Sequence, residues 1–239
     1  MAGAPLPLLG TFHEISVAAH DIRATVEFYE RLGFTQVTTS DTFSHPYGVL
    51  SDGRLSVGLH RRAGASPTLT FVRPGIAGHV AAFAAAGIHL TSRQLGEEVF
   101  NQIAFADPFG HAVAVLEART YSPAARGTRG TSLCGDFAEV SLPASDFAAA
   151  QAFWEQLGFV AAEEAQAPYP HLSLTSDYID LAFHPPRLCE RPMLVFRDAG
   201  LPARIERLQE LGVATSAVAG GARFEDPDGT PLLLLEDVG

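Results

Sequence analysis

The sequence predicts an α+β fold of four β-α-β-β-β units arranged as two tandem modules, and three observations lead there. Residues 10–34 and 135–159 repeat one pattern at an offset of 125, sharing Gly10/Gly135, Phe12/Phe137, Glu14/Glu139, Ser16/Ser141, Asp21/Asp146, Phe28/Phe153, Glu30/Glu155 and a closing Leu-Gly-Phe. In each repeat an alternating segment precedes an amphipathic one, and short strand-like runs with turn residues follow. Each half then places Asp-Pro-x-Gly before its last apolar run, as Asp107-Pro108-Phe109-Gly110 and Asp226-Pro227-Asp228-Gly229. Duplication of one ancestral module is the simplest account.

Residues 1–9 lack a basic start and carry prolines where a signal peptide needs an apolar helix, so they read as a short extended arm. Strand alternation from Phe12 to Ala19 puts Phe12, Glu14, Ser16 and Ala18 on one face and His13, Ile15, Val17 and Ala19 on the other. On this phase His13 packs toward a helix. Asp21 caps the helix that follows, Val26, Tyr29 and Leu32 form its apolar stripe, and Gly33 ends it. Short strands are expected near 35–41, 46–51 and 54–61, the last two joined by Asp52-Gly53.

The second unit reads as a strand Leu69–Arg73, a helix His79–Ala86 stopped by Gly87, and three further strands ending in Ala112–Glu117. Residues 119–134 lack periodicity and hold Gly, Ser and Pro, which marks a linker. Asp146 caps the next helix, which ends at Leu157-Gly158, and strands are expected near 159–165, 171–176 and 178–184. Leu194–Arg197 opens the last unit; Ile205, Leu208 and Leu211 stripe its helix, Gly212 stops it, and Pro231–Glu236 is the terminal strand. The expected division is an arm 1–9, a module 10–118, a linker 119–134 and a module 135–239.

A net charge of −11 argues against nucleic-acid binding, because phosphates would be repelled. No apolar run reaches the roughly 18 residues of a membrane helix, so no membrane partner is expected. The two cysteines, Cys134 and Cys189, have no metal-finger spacing, and the cytoplasm is the expected compartment. Tandem modules pack naturally as an internal pseudo-dimer, giving a monomer, with a homodimer as the alternative.

The four units, the capped aromatic helix Phe-Tyr or Phe-Trp closing on Leu-Gly-Phe, and Asp-Pro-x-Gly before each module's last strand resemble the vicinal oxygen chelate superfamily. That group includes glyoxalase I, fosfomycin and bleomycin resistance proteins, and extradiol dioxygenases. The resemblance implies curved, cup-shaped mixed sheets. It also implies, for the enzymes, a divalent metal held by His, Gln or Glu from strands of each unit, with at least three protein ligands.

Counted from the capping and turn aspartates, the ligand slots fall on Glu14, Ser56, Thr68 and Ala114 in the first module and on Glu139, Asp180, Met193 and Leu233 in the second. Exchanging halves between modules does not give three ligands either. No metal or other cofactor is therefore expected. The fallback is Fe, Mn, Ni or Zn at Glu139, Asp180 and His184, should the fourth strand slip in register.

Glu14 and Glu139 are the candidate catalytic bases or anchors for a cationic ligand, since burial on a cup face raises a carboxylate's pKa. The plainer reading pairs them with Arg73 and Arg197 or leaves them at the rim. Ser16, Ser56, Thr68, Ser141, Asp180, His60 and His184 are the candidate ligand-binding residues. Phe43, Tyr47, Tyr169 and His171 line a cup mouth or serve as core, and His45, His111 and His171 lie in or beside turns and short strands. Glu117 and Glu236 read as structural or surface groups. Two functions fit: a protein that binds an aromatic or cationic small molecule, and, alternatively, a lyase, isomerase or dioxygenase with an atypical metal or with acid/base chemistry at Glu14 or Glu139.

Overall fold

The computed structural model describes residues 7–38, 43, 45–118 and 129–237. The first unit comprises β1 (Thr11–Ala18), α1 (Ile22–Arg31), β2 (Thr35–Val37), β3 (Tyr47–Ser51) and β4 (Ser56–His60). The second comprises β5 (Thr68–Arg73), a 3-10 turn (Ile76–His79) running into α2 (Val80–Ala85), β6 (Leu90–Gln94), β7 (Gln102–Ala106) and β8 (Ala112–Glu117). The third has β9 (Asp136–Pro143), α3 (Phe147–Glu155), β10 (Val160–Ala161), β11 (Leu172–Thr175) and β12 (Asp180–His184). The fourth has β13 (Met193–Asp198), α4 (Leu201–Glu210), β14 (Ser216–Val218), β15 (Gly221–Glu225) and β16 (Pro231–Glu236).

Two eight-stranded mixed sheets result, in the orders β2-β3-β4-β1-β5-β8-β7-β6 and β10-β11-β12-β9-β13-β16-β15-β14. In each, the first strands of two consecutive units pair antiparallel at the centre (β1 with β5, β9 with β13), so each module keeps its own halves. The terminal strands of both modules begin and end where sequence placed them; β2 and β10 are shorter, with three and two residues. Part of the expected 35–41 strand, residues 39–41, lies outside the described residues, as do residues 1–6 of the arm and 119–128 of the linker. The arm's end is not extended: the Gly10 N–H donates to the Pro7 carbonyl at 2.9 Å and the turn drives Leu9 into the core.

Asp21 caps α1 as expected, its Oδ1 accepting from the N–H groups of Arg23 and Ala24 at 3.0 and 3.2 Å. The buried face of that helix is Thr25, Phe28 and Tyr29, with Leu32 at the cap, while Val26 is only half-buried. β1 departs from simple alternation. Phe12 pairs with Phe71 and Glu14 with Thr70, so His13 is an extra residue, a β-bulge. β9 repeats the device, with Ala138 extra between Phe137↔Phe196 and Glu139↔Val195. The bulge resets the phase: Phe12 joins Ile15 and Val17 in the core, and Glu14 and Ser16 take the other face. Phe12 was expected on the face of Glu14, and this corrects it.

One apolar core runs through both modules, taking alternate residues of the sheets (Val57, Leu59, Leu69, Phe71, Val113, Val115; Leu181, Phe183, Leu194, Phe196, Leu232, Leu234) together with the helices. The intervening residues form the opposite, cup face of each sheet. The modules dock reciprocally. The Tyr29 hydroxyl donates to Asp226 Oδ2 at 3.0 Å, and the Trp154 indole N–H donates to Asp107 Oδ2 at 3.3 Å. In each turn the other carboxylate oxygen holds the turn itself: Asp107 Oδ1 accepts from the Phe109 and His111 N–H groups, and Asp226 Oδ1 from those of Asp228 and Thr230. The described end of the linker packs on the first module, Thr131 N–H donating to the Asp52 carbonyl and Leu133 N–H to that of Leu32.

Candidate functional site

On the cup face of the first sheet Glu14 is completely buried. Its Oε1 accepts from the Ser16 hydroxyl at 2.8 Å and lies 3.0 Å from His60 Nε2. Ser16 Oγ is also 2.7 Å from Thr70 Oγ1. Oε2 has no hydrogen-bond partner among the described residues; His13 Nε2 approaches it to 3.6 Å. Gly58 makes this placement possible, because a Cβ there would lie 2.0 Å from Oε1. An interior strand glycine marks a close approach of this kind.

The contact with Glu14 places His13 on the cup face, since both residues of a bulge oppose one partner residue. The expectation that His13 packs toward a helix is overturned. Burial pushes its imidazole below the ordinary histidine range, against the pull of Glu14. The chain of polar contacts continues outward: His60 Nδ1 is 3.0 Å from Nε2 of His45. Phe43 and Tyr47 flank His60, with ring centroids 4.9 and 4.8 Å away, and Phe100 meets Phe43 at 6.3 Å.

The other candidates of this module are less central. Thr68 lies opposite Ser16, but its hydroxyl donates to the Ala65 carbonyl at 3.0 Å. Ser56 sits at the start of β4 opposite Ser51, and no hydrogen bond among the described residues joins it to Glu14. Beyond Thr68 and Thr70 the floor is small and half-open: Ala112 and Ala114 lie opposite them, with Ala104 across from Ala114. The Arg73 guanidinium donates to the Pro7 carbonyl. Glu117 is structural, its carboxylate accepting from the Gly75 and Ile76 N–H groups.

The second cup face is built differently. Glu139 Oε2 accepts from Ser173 Oγ at 3.1 Å, and Oε1 has no hydrogen-bond partner among the described residues. Burial raises the Glu139 pKa, opposed by Ser173, Arg197 and His171 and helped by Asp180. Around it Tyr169, Cys189, Met193, Val195, Leu233 and Leu235 form a second buried apolar cluster, so this cup is filled by its own side chains. His184 is locked in place, with Nδ1 2.7 Å from Ser141 Oγ and Nε2 3.0 Å from the Cys189 carbonyl. Burial lowers its pKa to about 4.

With both nitrogens engaged His184 has no lone pair to offer a cation, and the fallback metal set Glu139, Asp180 and His184 is not assembled. Among the described residues no group of three or more His, Cys, Asp or Glu side chains is placed to hold a metal ion. In the first module His13 and His60 stand beside Glu14, while Thr68, Thr70 and Ala114 across the same cup face supply neither imidazole nor carboxylate. The thiols are free and buried, and burial pushes Cys134 up to about 12, which makes it unreactive.

This architecture has solved counterparts. A catechol 2,3-dioxygenase matches with a TM-score of 0.63 and 13% identity, covering 98% of this chain and 89% of that one. The chain shares the fold of this extradiol dioxygenase. Homoprotocatechuate 2,3-dioxygenase from Arthrobacter globiformis matches at 0.66 with 13% identity (98% and 81% covered), and the Mn(II)-bound glyoxalase from Novosphingobium aromaticivorans at 0.60 with 15% identity (96% and 82%). No family model and no curated protein matches the chain in sequence. No helix among the described residues is long and apolar enough to cross a membrane.

Sequence reasoning put His13 on the wrong face, named Ala114 only as an empty ligand slot, and did not single out Gly58, Thr70, Ala104 or Ala112. Gly58 had a usable signal, a lone glycine inside the strand Ser-Val-Gly-Leu-His. The floor had one too, in the alternation Ala112-Val113-Ala114-Val115.

Proposed function

We propose that the cup of the first module binds a small organic molecule carrying a cationic or aromatic group, and that Glu14 anchors it without a chelated metal. One observation carries this reading: a completely buried carboxylate whose Oε2 lacks a hydrogen-bond donor, beside a half-open alanine floor. A buried charge with an unsatisfied oxygen is costly, and a ligand supplying a donor or a positive charge relieves that cost. The equivalent surface of the second module is occupied by Tyr169, Met193, Leu233 and Leu235, which favours a structural role for Glu139, Ser141, Asp180 and His184. The lyase, isomerase or dioxygenase alternative would act through the same Glu14 as a base. Free buried thiols fit a reducing cytoplasm, and the reciprocal module contacts fit a monomer.

The test is a thermal-shift and calorimetric screen of aromatic amines, neutral aromatics and divalent metals. Glu14→Gln is expected to weaken the best ligand at least about tenfold, or about 1.4 kcal/mol, and Glu139→Gln to leave it unchanged. Equal binding by Glu14→Gln, loss in Glu139→Gln alone, or a response confined to metals would overturn the reading.

A further inference from the structure

A cavity of about 620 Å³ opens past the ends of β1 and β4, where the two modules meet. That is the size of a small-molecule site. Neither Glu14 nor His60 lines it, so it is separate from the centre of the first cup. The first module contributes Ala18, Ala19 and the connection between β4 and β5, and the second contributes Arg191 and residues 228–231 at the start of β16. Ala19, Thr230 and Pro231 are buried and make the inner wall, whereas Arg61 and Arg62 stand exposed at the rim.

Charge around this cavity is one-sided. Arg61, Arg62 and Arg191 line it in a chain whose net charge is −11. Arg61 and Arg62 are held by their backbone N–H groups, which donate to the Pro46 and His60 carbonyls at 3.0 and 2.9 Å. Their guanidinium groups make no hydrogen bond or ion pair among the described residues. Arg191 donates to Glu225 Oε1 and to the Gly229 carbonyl, which fixes its guanidinium beside the turn. The one carboxylate in the lining, Asp228, is already engaged. Its Oδ1 accepts from the His20 N–H at 2.8 Å and lies 3.0 Å from His20 Nδ1, and its Oδ2 accepts from the Thr25 hydroxyl at 2.6 Å. Ser66 Oγ accepts from the Ala18 N–H at 3.0 Å and keeps its own proton for a ligand.

The repeat shows that the fold does not require these charges. Register sets Ala18 beside His60 and Pro143 beside His184, so Arg61 and Arg62 correspond to Pro185 and Pro186. His20 corresponds to Ser145 and Asp228 to Phe109. The same connection therefore folds in the second module with no charge at either position. Guanidinium groups recognise carboxylate and phosphoryl oxygens in their own plane, and a small apolar wall accepts a hydrocarbon body. We propose that this inter-module cavity binds a small organic oxyanion, a carboxylate or a phosphate ester, with its charged group on Arg61 and Arg62 and its apolar body against Ala19, Pro67 and Pro231. The site is independent of the first cup and takes a ligand of opposite charge.

The probes are phenyl phosphate and benzoate, with inorganic phosphate and benzyl alcohol as controls, each titrated into the full chain by calorimetry. At least one organic anion is expected to bind, and the tighter of the two identifies the charged group. Each control is expected to bind at least about tenfold more weakly. The double substitution Arg61→Gln/Arg62→Gln is expected to keep the melting temperature, because both side chains are exposed, and to weaken the anion at least about tenfold. If the pair melts early, the two substitutions are read singly, with the same direction expected. Arg187→Gln, in the equivalent connection of the second module, and Glu14→Gln are expected to leave affinity unchanged. Amide 1H–15N shifts are expected at both Gly64 and Gly229, one in each module.

The inference fails if neither organic anion binds, if inorganic phosphate or benzyl alcohol binds as tightly, or if the arginine variants keep full affinity. It fails equally if the shifts stay within one module. Loss of anion binding in Glu14→Gln would place the anion in the first cup, and the inference falls with it.

Discussion

At residue scale, Gly58 and Glu14 are two halves of one decision. The carboxylate occupies the volume that any side chain at position 58 would fill, 2.0 Å from where the Cβ would stand. Gly58→Ala is therefore expected to push the carboxylate out of line with His60 and Ser16, to destabilise the fold by about 1–3 kcal/mol in urea titration, and to abolish ligand binding. His184 gives a pH prediction. Its unfolded imidazole gains a proton near 6.5 and the folded one only near 4, so between those values the unfolded state holds more protons and stability falls as pH drops. The loss between pH 7 and pH 5 is expected to be about 2 kcal/mol, and His184→Gln is expected to flatten that slope. Glu139 runs the other way. Its raised folded value means that stability is lost as pH climbs above the ordinary glutamate range, so Glu139→Gln is expected to raise the melting temperature at pH 7.

At the scale of elements, local chemistry made most of the chain legible. Asp21 and Asp146 accept backbone N–H groups at their helix starts, and Asp52 closes the hairpin by accepting from the Arg54 and Leu55 N–H groups. Asp21→Ala is expected to cost about 1 kcal/mol, read from chemical denaturation. Counting from the cap also put Glu14 and Ser16 on the cup side. What sequence hid was the bulge, because an extra residue in a strand is a property of its pairing with β5, and no residue type in Thr-Phe-His-Glu-Ile announces it. His13 was misplaced for that reason. The plugging of the second cup was hidden for another: Tyr169 and Cys189 come from loops, and only the folded chain shows that they meet Met193 and Leu233.

For the whole molecule, the repeat explains the docking. Tyr29 and Trp154 occupy equivalent positions in α1 and α3, and each reaches the turn aspartate of the other module. Both modules also share one apolar core, so equilibrium unfolding is expected to be a single transition by far-UV circular dichroism and by fluorescence of Trp154, the one tryptophan in the chain. Tyr29→Phe leaves a buried Asp226 oxygen without its donor, and a loss of about 1–3 kcal/mol is expected with the single transition preserved. The exchange of aromatic and aspartate has a consequence for each half alone. The first module carries both partners of the handshake, Tyr29 and Asp107, and the second carries Trp154 and Asp226. Cut apart, each half presents a plug and a socket that fit a copy of itself, so separated modules are expected to return as pairs of like with like as well as the original couple, a self-complementary joint that a split-reporter assay would detect.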